Sequence, residues 1–228
     1  MKRLILLIFS ITLLSPSDYN SSLEKTKYFE GQVIYNIEYT PYNKNFSPDR
    51  IKEMVGSKMI LTFKKGNYKK EYFSPNGELL QERILNLKDH KSYMSTKDSD
   101  TIFWIDITKN TSKTTFEVLK DSTILNHPCT IIKTKSAVSL KNHNEEPFEI
   151  EGIFKYAKDL PVNPDWYVNY KEGNFNEIIK SGKGIAIETI NKGVYWKQQI
   201  KAVSIIERKV KKSEVKIQIN NKTPLQEL

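Results

Sequence analysis

Period-two alternation of apolar and polar residues constrains this chain more than any other feature. Val33, Tyr35, Ile37 and Tyr39 alternate with Gln32, Asn36 and Glu38, and only Ile34 breaks the polar side. Successive side chains of a strand point to opposite faces, so this run predicts a strand with one face in a core. The pattern returns at Met59, Leu61 and Phe63 against Lys58, Thr62 and Lys64. It returns again at Phe148, Ile150, Phe154 and Tyr156 against Glu149, Glu151 and Lys155, with Gly152 on the apolar side. Turn residues punctuate the runs at Gly66-Asn67, Pro75-Asn76-Gly77, Asp89-His90, Asp98-Ser99-Asp100 and Asn191-Lys192-Gly193. Further strands are expected at Thr115–Leu119, at Thr123–Lys135 with Pro128 marking an edge or bulge, over Val194–Val210, and at Val215-Ile217-Ile219.

The expected fold is therefore mainly β, a curved antiparallel sheet or unclosed β-barrel of about eleven strands. Strand and helix do not alternate regularly enough for a parallel α/β sheet. Two stretches break the β pattern. Ser47-Pro48-Asp49-Arg50 has the N-cap, N1 and first-turn residues of a helix start, with Ile51, Met54 and Val55 on one face and Gly56 closing it. From Leu160 to Ser181, Asn163-Pro164-Asp165 can cap a turn bearing Trp166 and Tyr167, and Asn174 a second through Ile178 and Ile179. These predict two or three short helices covering one single domain over residues 29–220.

The N-terminus predicts export. Lys2 and Arg3 precede an apolar run from Leu4 to Leu14, and Ser15-Pro16-Ser17 offers small residues for cleavage after residue 17. The apolar run spans about 17 Å as a helix, short of the ~30 Å hydrocarbon core of a bilayer. No cysteine follows it, which argues against a lipid-modified N-terminus. The expectation is a signal peptide over residues 1–17, a flexible lead-in over 18–28, a frayed tail over 221–228, and a mature periplasmic or secreted protein without a transmembrane span. Cys129 is the single cysteine, so stability must come from packing alone.

Lysine and arginine exceed aspartate and glutamate by 36 to 27. The excess is spread along the chain as a solvated surface, densest at Arg208, Lys209, Lys211, Lys212 and Lys216. Such a patch suits anionic lipid headgroups or glycans; no nucleic-acid module accompanies it. Residues for catalysis or metal binding are sparse. His127 and Cys129 share a strand face, but His90 and His143 stand at no diagnostic spacing from them, so no metal is expected. Asp98-Ser99-Asp100 lacks the glycine and closing glutamate of a calcium loop, and Asp106 is the one acid set between apolar neighbours. Nucleophile elbows, zinc-protease motifs, phosphate loops and redox cysteine pairs are all missing. The expectation is a non-enzyme with no catalytic residue and no cofactor.

The aromatic residues remain, 12 Tyr, 10 Phe and 3 Trp. A half-barrel lined by Met59, Leu61, Phe63, Trp104, Phe154, Trp166, Tyr167 and Trp196 under a helical lid could hold a lipid or a lipoprotein acyl chain. The same rings could instead fill a solid core, leaving the outer β-surface to bind another envelope protein or a glycan.

Five segments carry a resemblance: Phe29-Glu30-Gly31-Gln32-Val33-Ile34-Tyr35, Ile124-Leu125-Asn126-His127-Pro128-Cys129, Tyr156-Ala157-Lys158-Asp159-Leu160-Pro161-Val162, residues 182–190, and Lys201-Ala202-Val203-Ser204-Ile205. Together they resemble the exported bacterial proteins of the GLPGLI-type group, with Ser181-Gly182-Lys183-Gly184-Ile185-Ala186 where that signature would stand. That group is similar in outline to the periplasmic lipoprotein carriers (LolA-like). The resemblance implies an unclosed antiparallel barrel with a helical lid over an apolar cavity, and lipid or lipoprotein binding. It supplies no catalytic residues.

Overall fold

The structure, a computed structural model, describes residues 27–138, 148–219 and 223–228. The expected signal peptide, the lead-in up to residue 26, residues 139–147 and the first two residues of the expected tail, 221 and 222, lie outside the described residues. Twelve strands form one sheet. In chain order they are β1 (Gly31–Pro41), β2 (Lys58–Lys64), β3 (Asn67–Phe73), β4 (Leu79–Asn86), β5 (Lys91–Thr96) and β6 (Ile102–Asp106). There follow β7 (Lys113–Ile124), β8 (His127–Val138), β9 (Phe148–Pro161), β10 (Gly184–Lys192), β11 (Trp196–Glu207) and β12 (Leu225–Glu227). Helix α1 (Pro48–Val55) joins β1 to β2, and α2 (Phe175–Gly182) precedes β10.

The spatial order is β12-β6-β5-β4-β3-β2-β1-β11-β10-β9-β8-β7. Two meanders, β2 to β6 and β7 to β11, meet at β1, which pairs antiparallel with β2 on one side and β11 on the other. The ends, β7 and β12, do not meet, so the sheet is unclosed. The alternation in β1 is as expected: Val33, Tyr35, Ile37 and Tyr39 are buried, while Asn36, Glu38 and Thr40 are exposed.

Where the structure departs from the sequence reading, local chemistry accounts for it. The expected strand Thr123–Lys135 is divided by a turn at Leu125-Asn126, both at positive φ, the conformation that a two-residue hairpin between twisted strands requires. Pro128 stands at the start of β8 opposite Thr123, beside an irregularity in β7 between Leu119 and Ser122. The expected strand at Val215-Ile217-Ile219 is replaced by a 3-10 turn over Lys212–Val215. Glu214 fixes that turn by accepting from both Arg208 terminal nitrogens (3.2 and 2.6 Å) and from the Lys211 backbone N–H (2.6 Å). Leu225–Glu227, in the segment expected to fray, pair parallel with Ile102–Trp104 of β6.

A carboxylate is buried within the sheet. Glu188 of β10 is 5% exposed and accepts from Lys155 Nζ of β9 (2.7 Å) and Gln199 Nε2 of β11 (2.6 Å). Burial pushes its carboxyl up, but the two hydrogen bonds and the Lys155 charge overcome that and hold it below the usual carboxylate range. Glu30 has the same design, accepting from Lys64 Nζ and the Val210 N–H, each at 2.7 Å. Its carboxyl is also lowered, against burial that raises it. A carboxyl lowered on folding stabilises the protein above its unfolded value, 4.5, and that contribution is lost as pH falls through the folded value. Glu188→Ala is expected to cost about 3 kcal/mol at neutral pH, because it strands Lys155. The difference from wild type should shrink as pH falls below 4.5 and through the lowered folded value, where wild type loses the ion pair too. Urea unfolding at several pH values measures both.

Candidate functional site

Seven adjacent strands, from β4 through β9 in the spatial order, contribute side chains to one cavity of about 370 Å³. A sheet can surround a single cavity from so many strands only by curling, and this curl forms the concave face. The side chains that point inward follow from strand parity: Met59, Leu61 and Phe63 from β2, Tyr68, Lys70 and Tyr72 from β3, Gln81 and Arg83 from β4, Phe154 and Tyr156 from β9.

The segment between β9 and β10 covers the opening. Val162, Tyr167, Phe175 and Ile179 close the cavity from that side, and Val55 of α1 adds to its wall. This cover begins with Asn163 accepting from the Asp165 N–H (3.0 Å) and forms a 3-10 turn over Pro164–Tyr167, as the Asn-Pro-Asp pattern predicts. It is pinned midway. The N–H groups of Lys171 and Glu172 donate to the Ile107 carbonyl (2.7 and 3.1 Å). Glu172 accepts from Thr111 and Ser112, and Asn174 Nδ2 donates to the Thr114 carbonyl. The cover thus bridges from β9 to the β6–β7 connection. At its far end two glycines allow close approach: a Cβ on Gly182 would stand 2.7 Å from the Tyr156 ring, and one on Gly184 2.0 Å from the Ala157 carbonyl oxygen.

Phe154, Tyr156 and Phe175 also line a second hollow of about 660 Å³, between α2, β7, β8 and β9. These three rings therefore form the partition between the two spaces. The phenols of the first cavity are neutral at physiological pH, since burial raises Tyr35, Tyr68, Tyr72, Tyr156 and Tyr167 above the ordinary tyrosine value. Tyr35 donates its hydroxyl to the Ala186 carbonyl at 2.9 Å.

Of the eight residues expected to line a ligand site, Met59, Leu61, Phe63, Phe154 and Tyr167 line this cavity. The three tryptophans do not. Trp104 is on β6 near the sheet's edge, with the Lys91 ammonium 3.4 Å from its ring centroid. Trp166 caps the cover from outside against Tyr28 and Phe63, and Trp196 packs edge-on against Tyr39 beside α1. Indoles at sheet ends and lid backs serve as plugs, a role that periodicity does not separate from lining. Two lining residues that the sequence reading passed over are Lys70 and Arg83. The signal for them was present: Tyr68-x-Lys70-x-Tyr72 and Gln81-x-Arg83-x-Leu85 place each cation on the face of apolar or aromatic neighbours.

The basic cluster near the C-terminus is divided. Arg208 is committed to Glu214, whereas Lys212 and Lys216 line a surface groove with Lys64, Lys65 and Lys88. Lys209 and Lys211 are exposed on the turn. His127 Nδ1 lies 2.8 Å from Asp159 Oδ2, and the buried Cys129 thiol, pushed up by desolvation, donates to the His127 carbonyl. Asp106 accepts from the Thr108 N–H and hydroxyl as an ordinary strand-end turn. Among the described residues no cluster of three His, Cys, Asp or Glu side chains could hold a metal, and no helix is long and apolar enough to cross a membrane.

Fold and site together define a mainly β protein whose unclosed, curled sheet encloses a lidded cavity. Neither a protein-family model nor a curated protein sequence matches the chain. Among solved structures it is similar to the crystal structure of LprF from Mycobacterium bovis, over 85% of this chain and 90% of that one, at 6% identity and a TM-score of 0.32.

Proposed function

We propose that this is an exported, non-enzymatic binding protein that holds the apolar chain of a lipid or lipoprotein inside its curled sheet. The observation that carries the reading is the cavity of about 370 Å³, lined largely by Met, Leu, Ile, Val and aromatic side chains beneath a pinned cover. Its size falls within the ~300–1,000 Å³ of small-molecule sites. A solid core with function confined to the outer β-surface is disfavoured by that same space. Among the described residues no carboxylate, histidine, serine or cysteine lines it, which supports binding over catalysis.

Protein purified from its own host is expected to carry a one-to-one amphiphile detectable by native mass spectrometry and lipid extraction. Ala186→Trp places an indole in the cavity while leaving the Ala186 carbonyl to Tyr35, and should reduce ligand occupancy at least tenfold with an unchanged circular dichroism spectrum. Protein that emerges empty and excludes lipid analogues would overturn the proposal.

A further inference from the structure

The charged side chains in the cavity wall are Lys70 and Arg83, and no carboxylate stands among them. They sit directly opposite each other on the β3–β4 ladder, where like charges repel. Arg83 donates its Nε–H to Gln81 Oε1 (3.0 Å) and lies 5.9 Å from the Tyr72 ring centroid; the Lys70 ammonium lies 5.0 Å from that of Tyr68. Among the described residues neither cation has an acidic partner. Acids on the same two strands, Glu71 and Glu82, face the other side of the sheet, where both approach Lys69 at 2.8 and 3.6 Å. Arg83 keeps access to solvent, whereas Lys70 sits deeper, and desolvation with the Arg83 charge pulls its ammonium down to about 8.

The rest of the wall is polarised the other way. Ile179, Ile185, Phe175, Phe154 and Tyr156 form an uncharged side, and beyond the partition rings the charged group of the second hollow is Glu172. Cations at one end, apolar surface in the middle and a carboxylate past the far wall define both a ligand and its direction. We infer that the cavity selects a single-chain amphiphile with an anionic headgroup, carboxylate or phosphate, held between Lys70 and Arg83 with its chain directed toward Phe154 and Tyr156. The modest volume is the reason for one chain. The inference rests on the proposed function and adds the chemistry of the head.

Calorimetric titration with lauric acid, lauryl phosphate, lauryl alcohol and inorganic phosphate tests it. Both anionic amphiphiles are expected to bind at least tenfold more tightly than the alcohol. Lys70→Met and Arg83→Met should each remove most of that preference, and the double variant all of it, with affinity for the alcohol held within about twofold. The preference should also fall from about pH 7 to about pH 9 in wild type but not in Lys70→Met. Of the groups facing Lys70, Arg83 is the other cation, the phenols of Tyr68 and Tyr72 are raised and stay neutral, and β2 presents only Met59, Leu61 and Phe63. Equal binding of acid and alcohol, or a preference that survives the double variant, would overturn the head assignment and leave the apolar-chain reading standing. Failure of all three amphiphiles would overturn both. Inorganic phosphate binding as tightly as lauryl phosphate would reduce the site to an anion site without a chain.

Discussion

Valine in place of Gly184 is expected to destabilise the protein by about 3 kcal/mol or more, since overpacking against backbone has no low-energy escape. A Cβ there would stand 2.0 Å from the Ala157 carbonyl oxygen and 2.9 Å from its carbon. A side chain could rotate away; this carbonyl belongs to β9 at the point where its pairing with β10 shifts register. Strand β10 would have to move off β9 and carry the end of the cavity cover with it. Urea unfolding gives the stability change, and the same variant should bind lauric acid more weakly. Gly193→Ala is the control: its nearest neighbour would be 3.5 Å away, an ordinary contact, and the change should stay within about 0.5 kcal/mol.

Truncating Ile37 to alanine is expected to cost about 3 to 4 kcal/mol, the range for a branched aliphatic removed from an enclosed site. Ile37 is fully buried, and its strand is the one that joins the two meanders. It pairs across to Ile200 on β11, and its N–H donates to the Ser57 carbonyl (2.8 Å) just ahead of β2. A cavity at this position therefore loosens both halves at once. Hydrogen exchange should show lost protection in β2 and β11 together. Loss confined to one meander would contradict the joining role of β1.

The curled sheet was legible in the sequence because burial on one face imposes period two, and β1 and β2 display it with only Ile34 and Ile60 breaking the polar side. The short helix at Pro48–Val55 was legible for a different reason, the Ser-Pro-Asp start. Its expected apolar face was only half right: Ile51 is buried and Val55 reaches the cavity, but Met54 is 68% exposed. A helix of eight residues needs few anchors. The turn at Leu125-Asn126 was hidden since leucine at positive φ carries no sequence signal. The site was half legible. Apolar liners on clean strands were found, but Lys70 and Arg83 read as surface charge, because a chain with so many lysines gives no reason to single out two. Strand parity relative to the tyrosines distinguishes them, and only pairing across β3 and β4 makes the two cations neighbours. The tryptophans misled in the opposite sense, since a large ring is equally at home plugging an edge.

The placement of β1 also fixes an order of events during synthesis. Its partner β11 ends at Glu207, with the pair Gly31 and Glu207 at the limit of the ladder. Each meander is built from neighbours in sequence and can pair as it emerges, which keeps loop closure inexpensive in entropy. Strand β1 cannot: one of its edges stays open until β11, which ends at Glu207, has been made. The first of the described strands is thus completed only when the second meander is. During that interval its alternating Val-x-Tyr-x-Ile-x-Tyr segment presents an unpaired edge, the feature that invites unwanted strand pairing.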